Sequence, residues 1–173
     1  MGTATNLISA RPVTMDPSAE FADLYERHYA AVYGTALRIT GNPADAEDVL
    51  QTVFLRVLKQ GGSLDPSHAA EPYFRRAAAN ASLDLLRRRV SHRETGLEEA
   101  HSQASKENTA FLKQMLRRAL ASLDPSDAVI FALRYVEGMT NGELAEMFDQ
   151  EKNSIAVRLH RIRQALQIEL ERI

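Results

Sequence analysis

Arginines are the side chains in this sequence whose spacing points most clearly to a function. Arg158, Arg161 and Arg163 share one helical stretch near the C-terminus, and the run Arg87–Arg89 stands earlier in the chain. A guanidinium group binds phosphate oxygens and can donate two parallel hydrogen bonds to the edge of a guanine. These arginines therefore indicate contact with nucleic acid, although helix C-termini also favour cations through the helix dipole.

The net charge of the chain hides two basic segments. The 173 residues include 21 Lys and Arg against 23 Asp and Glu, and the resulting charge of −2 by itself argues against nucleic-acid binding. Counted by segment, residues 71–93 carry +4 and residues 151–173 carry +2, whereas the remainder is acidic. Each basic segment is therefore a candidate surface for DNA phosphates.

The sequence gives little support to catalysis or metal binding. Cysteine is absent, which excludes disulfides, thiolate zinc sites and cysteine nucleophiles. The five histidines show no ligand spacing, and no zinc-protease motif or phosphate-binding glycine loop is present. Asp45, Glu47 and Asp48 lack the pattern of a calcium loop. We therefore expect no enzyme activity, no catalytic residue, no metal site and no cofactor.

The N-terminal segment shows no targeting signal. Residues 1–18 are polar and small and contain no continuous apolar stretch of the kind that a signal peptide needs. No run of about 18 apolar residues occurs elsewhere, so no membrane insertion is expected. These features predict a disordered N-terminal tail and a cytoplasmic protein.

Apolar residues recur at helical spacing in both halves of the chain, and no alternating strand pattern is present. Asn42 and Asp124 each precede a proline, which is a typical start of a helix. Residues 91–106 are polar and lack an apolar period, and so predict a flexible linker. The predicted fold is all-α, with two small helical bundles at residues 19–90 and 107–173.

Residues 140–166 predict a helix-turn-helix. Thr140 and Glu143 have the spacing of a capping box at the start of a short helix, and a longer helix follows after a brief turn. The buried side of the longer helix is predicted to consist of Ile155, Leu159, Ile162 and Leu166. Its outward face and flank, which we predict to contact DNA, carry Asn153, Ser154, Val157, Arg158 and Arg161. An ordinary antiparallel helix pair with solvated arginines is the alternative interpretation.

In their order and linker, these segments resemble the extracytoplasmic-function sigma factors, small subunits that direct bacterial RNA polymerase to promoters. The resemblance covers roughly residues 19–170. In the first half it is strongest at residues 42–51 (NPADAEDVLQ), at Phe54, at Asn80 and at residues 84–89 (DLLRRR). In the second half it is strongest at residues 133–140, 143–146 and 158–161. Each stretch is short, but the order of the stretches is specific.

The resemblance implies a role for each bundle. Residues 19–90 look like sigma region 2, which docks on core polymerase and reads the −10 element, and residues 107–173 look like region 4, which reads the −35 element. The residues at the polymerase-binding positions, facing the clamp of the largest subunit, are Asp45, Asp48, Gln51 and Phe54. Those implied for the −10 element are Tyr73, Asn80, Asp84, Arg87 and Arg88, with a pocket for one flipped base in residues 61–70. An anti-sigma factor is a further implied partner.

The sequence departs from the family at several of these positions. Tyr73 replaces the usual Trp, and Ala79 replaces a common Arg. In the helix-turn-helix, Asp149 replaces a common Gly, which predicts either a left-handed backbone or a capping role. Glu151 stands in place of Ser or Thr, and Ala156 in place of Lys, so we expect the −35 preference to be particular to this chain.

Two other classes of function stay open. A helix-turn-helix transcriptional regulator would leave the acidic helix face within residues 42–60 unexplained. A sigma-like decoy, which would bind an anti-sigma factor without contacting DNA, would leave the two basic segments unexplained.

Overall fold

The computed structural model describes residues 17–59, 71–94 and 107–172, and these ranges hold seven α-helices and no strand. The helices are α1 (Pro17–Thr40), α2 (Pro43–Lys59), α3 (Glu71–Glu94), α4 (Glu107–Ser122), α5 (Pro125–Tyr135), α6 (Asn141–Phe148) and α7 (Lys152–Arg172). The prediction of an all-α fold is confirmed. Within the same ranges, no helix is long and apolar enough to span a membrane.

The helices begin where the sequence carries capping signals. The Asn42 side-chain oxygen accepts a hydrogen bond from the Ala44 amide at 2.9 Å, and the Asp124 carboxylate accepts one from the Ser126 amide at 3.0 Å. In both helices proline occupies the first helical position, where its missing N–H costs nothing. These local contacts fix the start of α2 and of α5.

Two helices extend beyond the predicted bundle boundaries. Helix α1 begins at Pro17, inside the predicted tail, and residues 1–16 lie outside the described residues. Helix α3 continues to Glu94, because residues 91–94 contain no glycine or proline that would end it. The first four residues of the predicted linker are therefore helical, and residues 95–106 lie outside the described residues.

Helices α1, α2 and α3 enclose the first core. Phe74 lies within it with no exposed surface, and its ring stacks on His28 at 4.1 Å and on Phe54 at 5.7 Å between centroids. The same core includes Val32, Ala36, Ala46, Val49, Leu50, Val53, Val57, Ala78 and Ala81. The amphipathic stripes of α1 and α2 are thereby covered.

Helices α4–α7 build a second core, which reaches into the first half of the chain. The predicted buried side of α7 is confirmed, since Ile155, Leu159, Ile162 and Leu166 are all at most 4% exposed. The cluster also contains Ile39 of α1 and, from α3, the residues Ala79, Leu83 and Leu86. Helix α3 therefore buries a different face in each core, and the two bundles are in direct contact.

Glu137 forms the main polar contact between the halves. Its carboxylate accepts hydrogen bonds from Arg38, at 2.9 and 2.7 Å, and from Arg75, and its side chain has no exposed surface. Burial alone would raise the pKa of Glu137. The hydrogen bonds and charge of Arg38 and the hydrogen bond from Arg75 together outweigh the effect of burial and lower the pKa of Glu137. Glu137 is thus held as a carboxylate.

Candidate nucleic-acid interface

The helix-turn-helix prediction is matched by α6 and α7, which are separated by three residues. The Thr140 hydroxyl accepts a hydrogen bond from the Glu143 amide at 3.2 Å, and the Glu143 carboxylate accepts one from the Thr140 amide at 2.7 Å. This confirms the capping box. The hydrogen bond from the Thr140 amide, followed by one from its hydroxyl, lowers the pKa of Glu143. The start of α6 is therefore fixed by two local bonds.

Asp149 makes the turn by adopting a left-handed backbone, with φ 50° and ψ 53°. It is the one non-glycine residue with positive φ in the described ranges. The Gln150 amide donates to the Ala145 carbonyl at 2.9 Å and so closes the end of α6. Aspartate tolerates this conformation better than most residues, which explains how the turn is made without the usual glycine.

The outward face of α7 is polar and accessible. Asn153, Ser154 and Arg161 are exposed, and 52% of the surface of Val157 is exposed. Beneath them the buried side of α7 packs on the second core, so the face has a rigid support. Four of the five predicted −35 residues therefore lie together on one accessible surface.

Arg158 is placed differently from the other four. Its guanidinium donates to Asp127 at 2.6 Å and to Ser126 at 2.7 Å, and only 26% of its side chain is exposed. These partners lie in the first turn of α5. Arg158 therefore fastens α7 to α5, and in this structure it is not presented on the outward face.

The predicted −10 residues share one side of α3. Asp84 and Arg88 are exposed, whereas Asn80 and Tyr73 are partly buried. Arg87 donates to Asp84 at 3.0 Å, and its side chain is only 22% exposed. The structure thus brings these five residues together along α3 but leaves them unequally accessible. The implied base pocket in residues 61–70 lies outside the described residues.

The predicted polymerase-binding residues on α2 divide into two pairs. Asp48 and Gln51 are exposed beside a groove of about 430 Å³ between α2 and α3. Asp45 is 2% exposed and both of its carboxylate oxygens accept hydrogen bonds from Arg89, while Phe54 is 4% exposed in the first core. Asp45 and Phe54 therefore stabilise the bundle and are not offered to a partner in this arrangement.

One exposed residue beside Asp48 and Gln51 was missed from the sequence. Leu55 is 53% exposed and lines the same groove, one helical turn after Gln51. The sequence spacing indicates this placement, because residues four positions apart share a helix face and Leu55 follows Gln51 by four. An apolar side chain next to polar ones is a common composition for a docking surface.

Among the described residues no group of three His, Asp or Glu side chains is arranged to hold a metal ion. Charged residues are exposed on the faces of α2, α3 and α7 described above. Helix α2 lies in an acidic segment of the sequence, whereas α3 and α7 lie in its two basic segments.

Comparison with known families gives two matches along this chain. The family model of Sigma-70 region 2 matches residues 24–92, which hold most of α1 together with α2 and nearly all of α3. The model of Sigma-70, region 4 matches residues 113–166, which contain the helix-turn-helix. Each match covers most of one half of the chain.

Two curated relatives are similar over most of this chain. The ECF RNA polymerase sigma factor SigE of Mycolicibacterium smegmatis is 30% identical over 152 residues, which cover 83% of this chain but 59% of SigE. The RNA polymerase sigma factor CarQ of Myxococcus xanthus is 32% identical over 146 residues, covering 82% of this chain and 83% of CarQ. The chain thus spans little more than half of SigE but most of CarQ.

A solved structure shares the fold. It is the sigma factor RpoE in complex with the anti-sigma factor NepR from Bartonella quintana, which superposes with a TM-score of 0.51 over 88% of this chain and 97% of that chain. Sequence identity is 18%. This likeness supports the arrangement of helices and carries no information on individual contacts.

Proposed function

This chain belongs to the extracytoplasmic-function sigma factors of RNA polymerase, and we propose that it binds the core enzyme and directs it to promoters with a −10 and a −35 element. The chain acts by binding, with no chemistry of its own, in the cytoplasm. The observation that carries the proposal is the pair of matched sigma regions, each with an exposed polar helix face.

The first half docks on the polymerase through α2. Asp48 and Gln51 offer polar and acidic contacts, and Leu55 adds apolar area beside them. The proposed partner surface is the clamp of the largest subunit. An acidic helix face favours a basic partner, because complementary charge speeds encounter and fixes register. Asp45 acts indirectly, by tying α2 to α3 through Arg89.

The same half reads the −10 element through α3. Arg88 is exposed and suited to a phosphate, while Asn80 and Asp84 can hydrogen-bond with base edges. Tyr73, which packs edge-on to Phe74 at 5.6 Å, offers a partly exposed ring on which an unpaired base can stack. Arg87 also contacts the −10 element when its side chain becomes exposed to solvent.

The second half reads the −35 element through the outward face of α7, which carries Asn153, Ser154, Val157 and Arg161. Replacing Arg161 by Ala should lower −35-dependent promoter binding by the holoenzyme about 5- to 150-fold, the effect of losing about 1–3 kcal/mol at one base contact. Core binding and melting temperature should not change, because Arg161 is exposed. Filter binding with reconstituted holoenzyme measures the effect.

Arg158→Ala is the matched variant on the same helix. Because Arg158 holds Asp127 and Ser126, its loss should lower the melting temperature as well as promoter binding. If Arg161→Ala destabilises the chain and Arg158→Ala does not, the division of the two residues into reading and positioning roles is wrong.

An anti-sigma factor is a proposed further partner. The similar solved structure contains a sigma factor bound to one, which supports this proposal for the family fold. Co-purification of the full chain from its native host, followed by a competition assay with core polymerase, tests it. A partner that blocks core binding supports the proposal, and a partner that leaves core binding unaffected contradicts it.

A further inference from the structure

We propose that Arg88 binds the polymerase clamp as well as DNA, and that it forms the basic edge of a docking groove whose acidic edge is Asp48. The inference rests on the proposed function, because it concerns the same docking of the first half on core polymerase. It extends the docking surface from α2 onto α3 and states which charges the partner must carry.

The docking groove is the depression of about 430 Å³ between α2 and α3. Its edges and base include Asp48, Gln51 and Leu55 of α2 and Ala81, Leu85 and Arg88 of α3. The base is apolar, since Ala81 is 4% exposed and Leu85 packs against the first core. Asp48 and Arg88 are exposed. The helix on one side therefore contributes an acid, the helix on the other side contributes a base, and apolar surface lies between them.

Arg88 lies closer to the docking groove than the other residues predicted for the −10 element. At about 100° per residue, a stripe of α3 about 60° wide carries Tyr73, Asn80, Asp84 and Arg87. Arg88 is about 80° from Asn80 on this helix but only about 20° from Ala81. It lines the groove, whereas the four residues of the stripe do not. Arg88 thus stands at the border between the DNA-reading stripe and the groove.

The Arg88 guanidinium has donors available for a partner. Its Nε donates to the Asp84 carbonyl of the same helix at 3.3 Å, and its two Nη groups make no hydrogen bond within the described residues. A guanidinium can bind a carboxylate through two parallel hydrogen bonds, which fix geometry as well as charge. Because Arg88 keeps donors beyond those two, a carboxylate of the polymerase does not prevent a contact with a DNA phosphate.

An ion pair below the groove fixes the two edges relative to each other. Both carboxylate oxygens of Asp45 accept hydrogen bonds from Arg89, the neighbour of Arg88, and Asp45 is 2% exposed. This pair holds the last turns of α3 against the first turn of α2. Asp48 follows Asp45 by three residues, so the acid and the base are presented from helices whose relative position is set by a buried contact.

The opposite charges of the two edges specify the occupant, which is a segment of the clamp that carries both signs of charge. It should present a carboxylate to Arg88, a cation to Asp48 and an apolar side chain to the base formed by Ala81 and Leu85. A uniformly basic segment would be attracted by Asp48 and repelled by Arg88. The groove therefore selects the direction in which the segment lies, because reversing it would place like charges together.

The test measures the affinity of the labelled full chain for purified core polymerase in the absence of DNA, by fluorescence anisotropy. Arg88→Glu should weaken binding about 10- to 100-fold, because it places an acid against the carboxylate of the partner. A residue that contacts only DNA would give no change in this assay. Circular dichroism should retain the wild-type helix signal, since Arg88 is exposed.

Arg56→Glu is the matched control. It makes the same charge change at an exposed position of α2 that does not line the docking groove. It should change the affinity less than about threefold, because a charge outside the groove acts only through screened long-range attraction. Equal losses for Arg56→Glu and Arg88→Glu would mean that net charge, and not the groove, governs binding, and would overturn the proposal.

A charge swap tests the geometry. Asp48→Arg combined with Arg88→Asp keeps the net charge but exchanges the two edges, so the pair should bind no better than Arg88→Glu alone. Recovery of wild-type affinity in the swapped variant would contradict an oriented partner.

The outcomes separate this proposal from the proposed function. If Asp48→Arg weakens core binding and Arg88→Glu weakens only promoter binding, Arg88 is a DNA contact alone and the docking of α2 stands. If neither variant weakens core binding, the proposed docking of the first half through α2 is itself wrong.

Discussion

Replacing Phe74 by Ala should lower the free energy of unfolding by about 3–5 kcal/mol, the usual cost of removing a buried aromatic ring. The ring has no exposed surface and contacts Phe54, His28 and Tyr73, which come from all three helices of the first core. Removing it leaves a cavity where α1, α2 and α3 meet. Urea denaturation followed by circular dichroism measures the loss.

Phe111→Ala is the matched control, because 58% of the surface of Phe111 is exposed. Its effect should stay within about 0.5 kcal/mol, as is usual for exposed positions. A loss below about 1 kcal/mol for Phe74→Ala would mean that the ring does not hold the three helices together as described.

Replacing Asp48 by Arg should weaken binding to core polymerase about 10- to 100-fold. The change removes an acidic contact from the proposed docking face and places a like charge against a basic partner, which costs several kcal/mol when the charges are juxtaposed. Folding should be preserved, because Asp48 is exposed on α2. Fluorescence anisotropy with purified core enzyme, at two salt concentrations, measures the affinity and its electrostatic part.

Glu47→Arg makes the same charge change at the preceding exposed position, which does not line the groove between α2 and α3. It should weaken binding much less than Asp48→Arg. Equal losses for the two variants would indicate general charge attraction, and an unchanged affinity for Asp48→Arg would remove this residue from the interface.

Features set by neighbouring residues were predictable from the sequence. The caps at Asn42, Asp124 and Thr140 rest on partners two or three residues away, so the sequence alone identifies them. The buried stripe of α7 follows from helical spacing. The same reasoning anticipated that Asp149 could take a left-handed backbone at the turn.

Contacts between residues far apart in the sequence could not be predicted by this local reasoning. Asp45 was placed with the docking residues, but it is buried against Arg89, which is 44 positions away. Arg158 and its partner Asp127 are 31 positions apart. An acid in the first turn of a helix and an arginine on a basic helix are compatible with both solvent and protein partners, and periodicity does not distinguish the two.

One feature of the sequence does indicate the contact between the two halves of the chain. Helix α3 carries a second apolar stripe, Ala79, Leu83 and Leu86, at spacings of four and three, besides the stripe that includes Phe74. A helix with two apolar faces is expected to pack on two sides. The polar linker suggested independent bundles, and only the folded chain shows that α3 serves both cores.

Run-off transcription with purified core enzyme tests the central claim, that this chain is a promoter-directing sigma factor, most directly. Core enzyme freed of other sigma factors is mixed with the chain and with fragments of genomic DNA from the native host. Discrete transcripts should start at a limited set of promoters only when the chain is added, and Asp48→Arg should abolish most of them. The absence of any transcript that depends on both the chain and a promoter would contradict the claim.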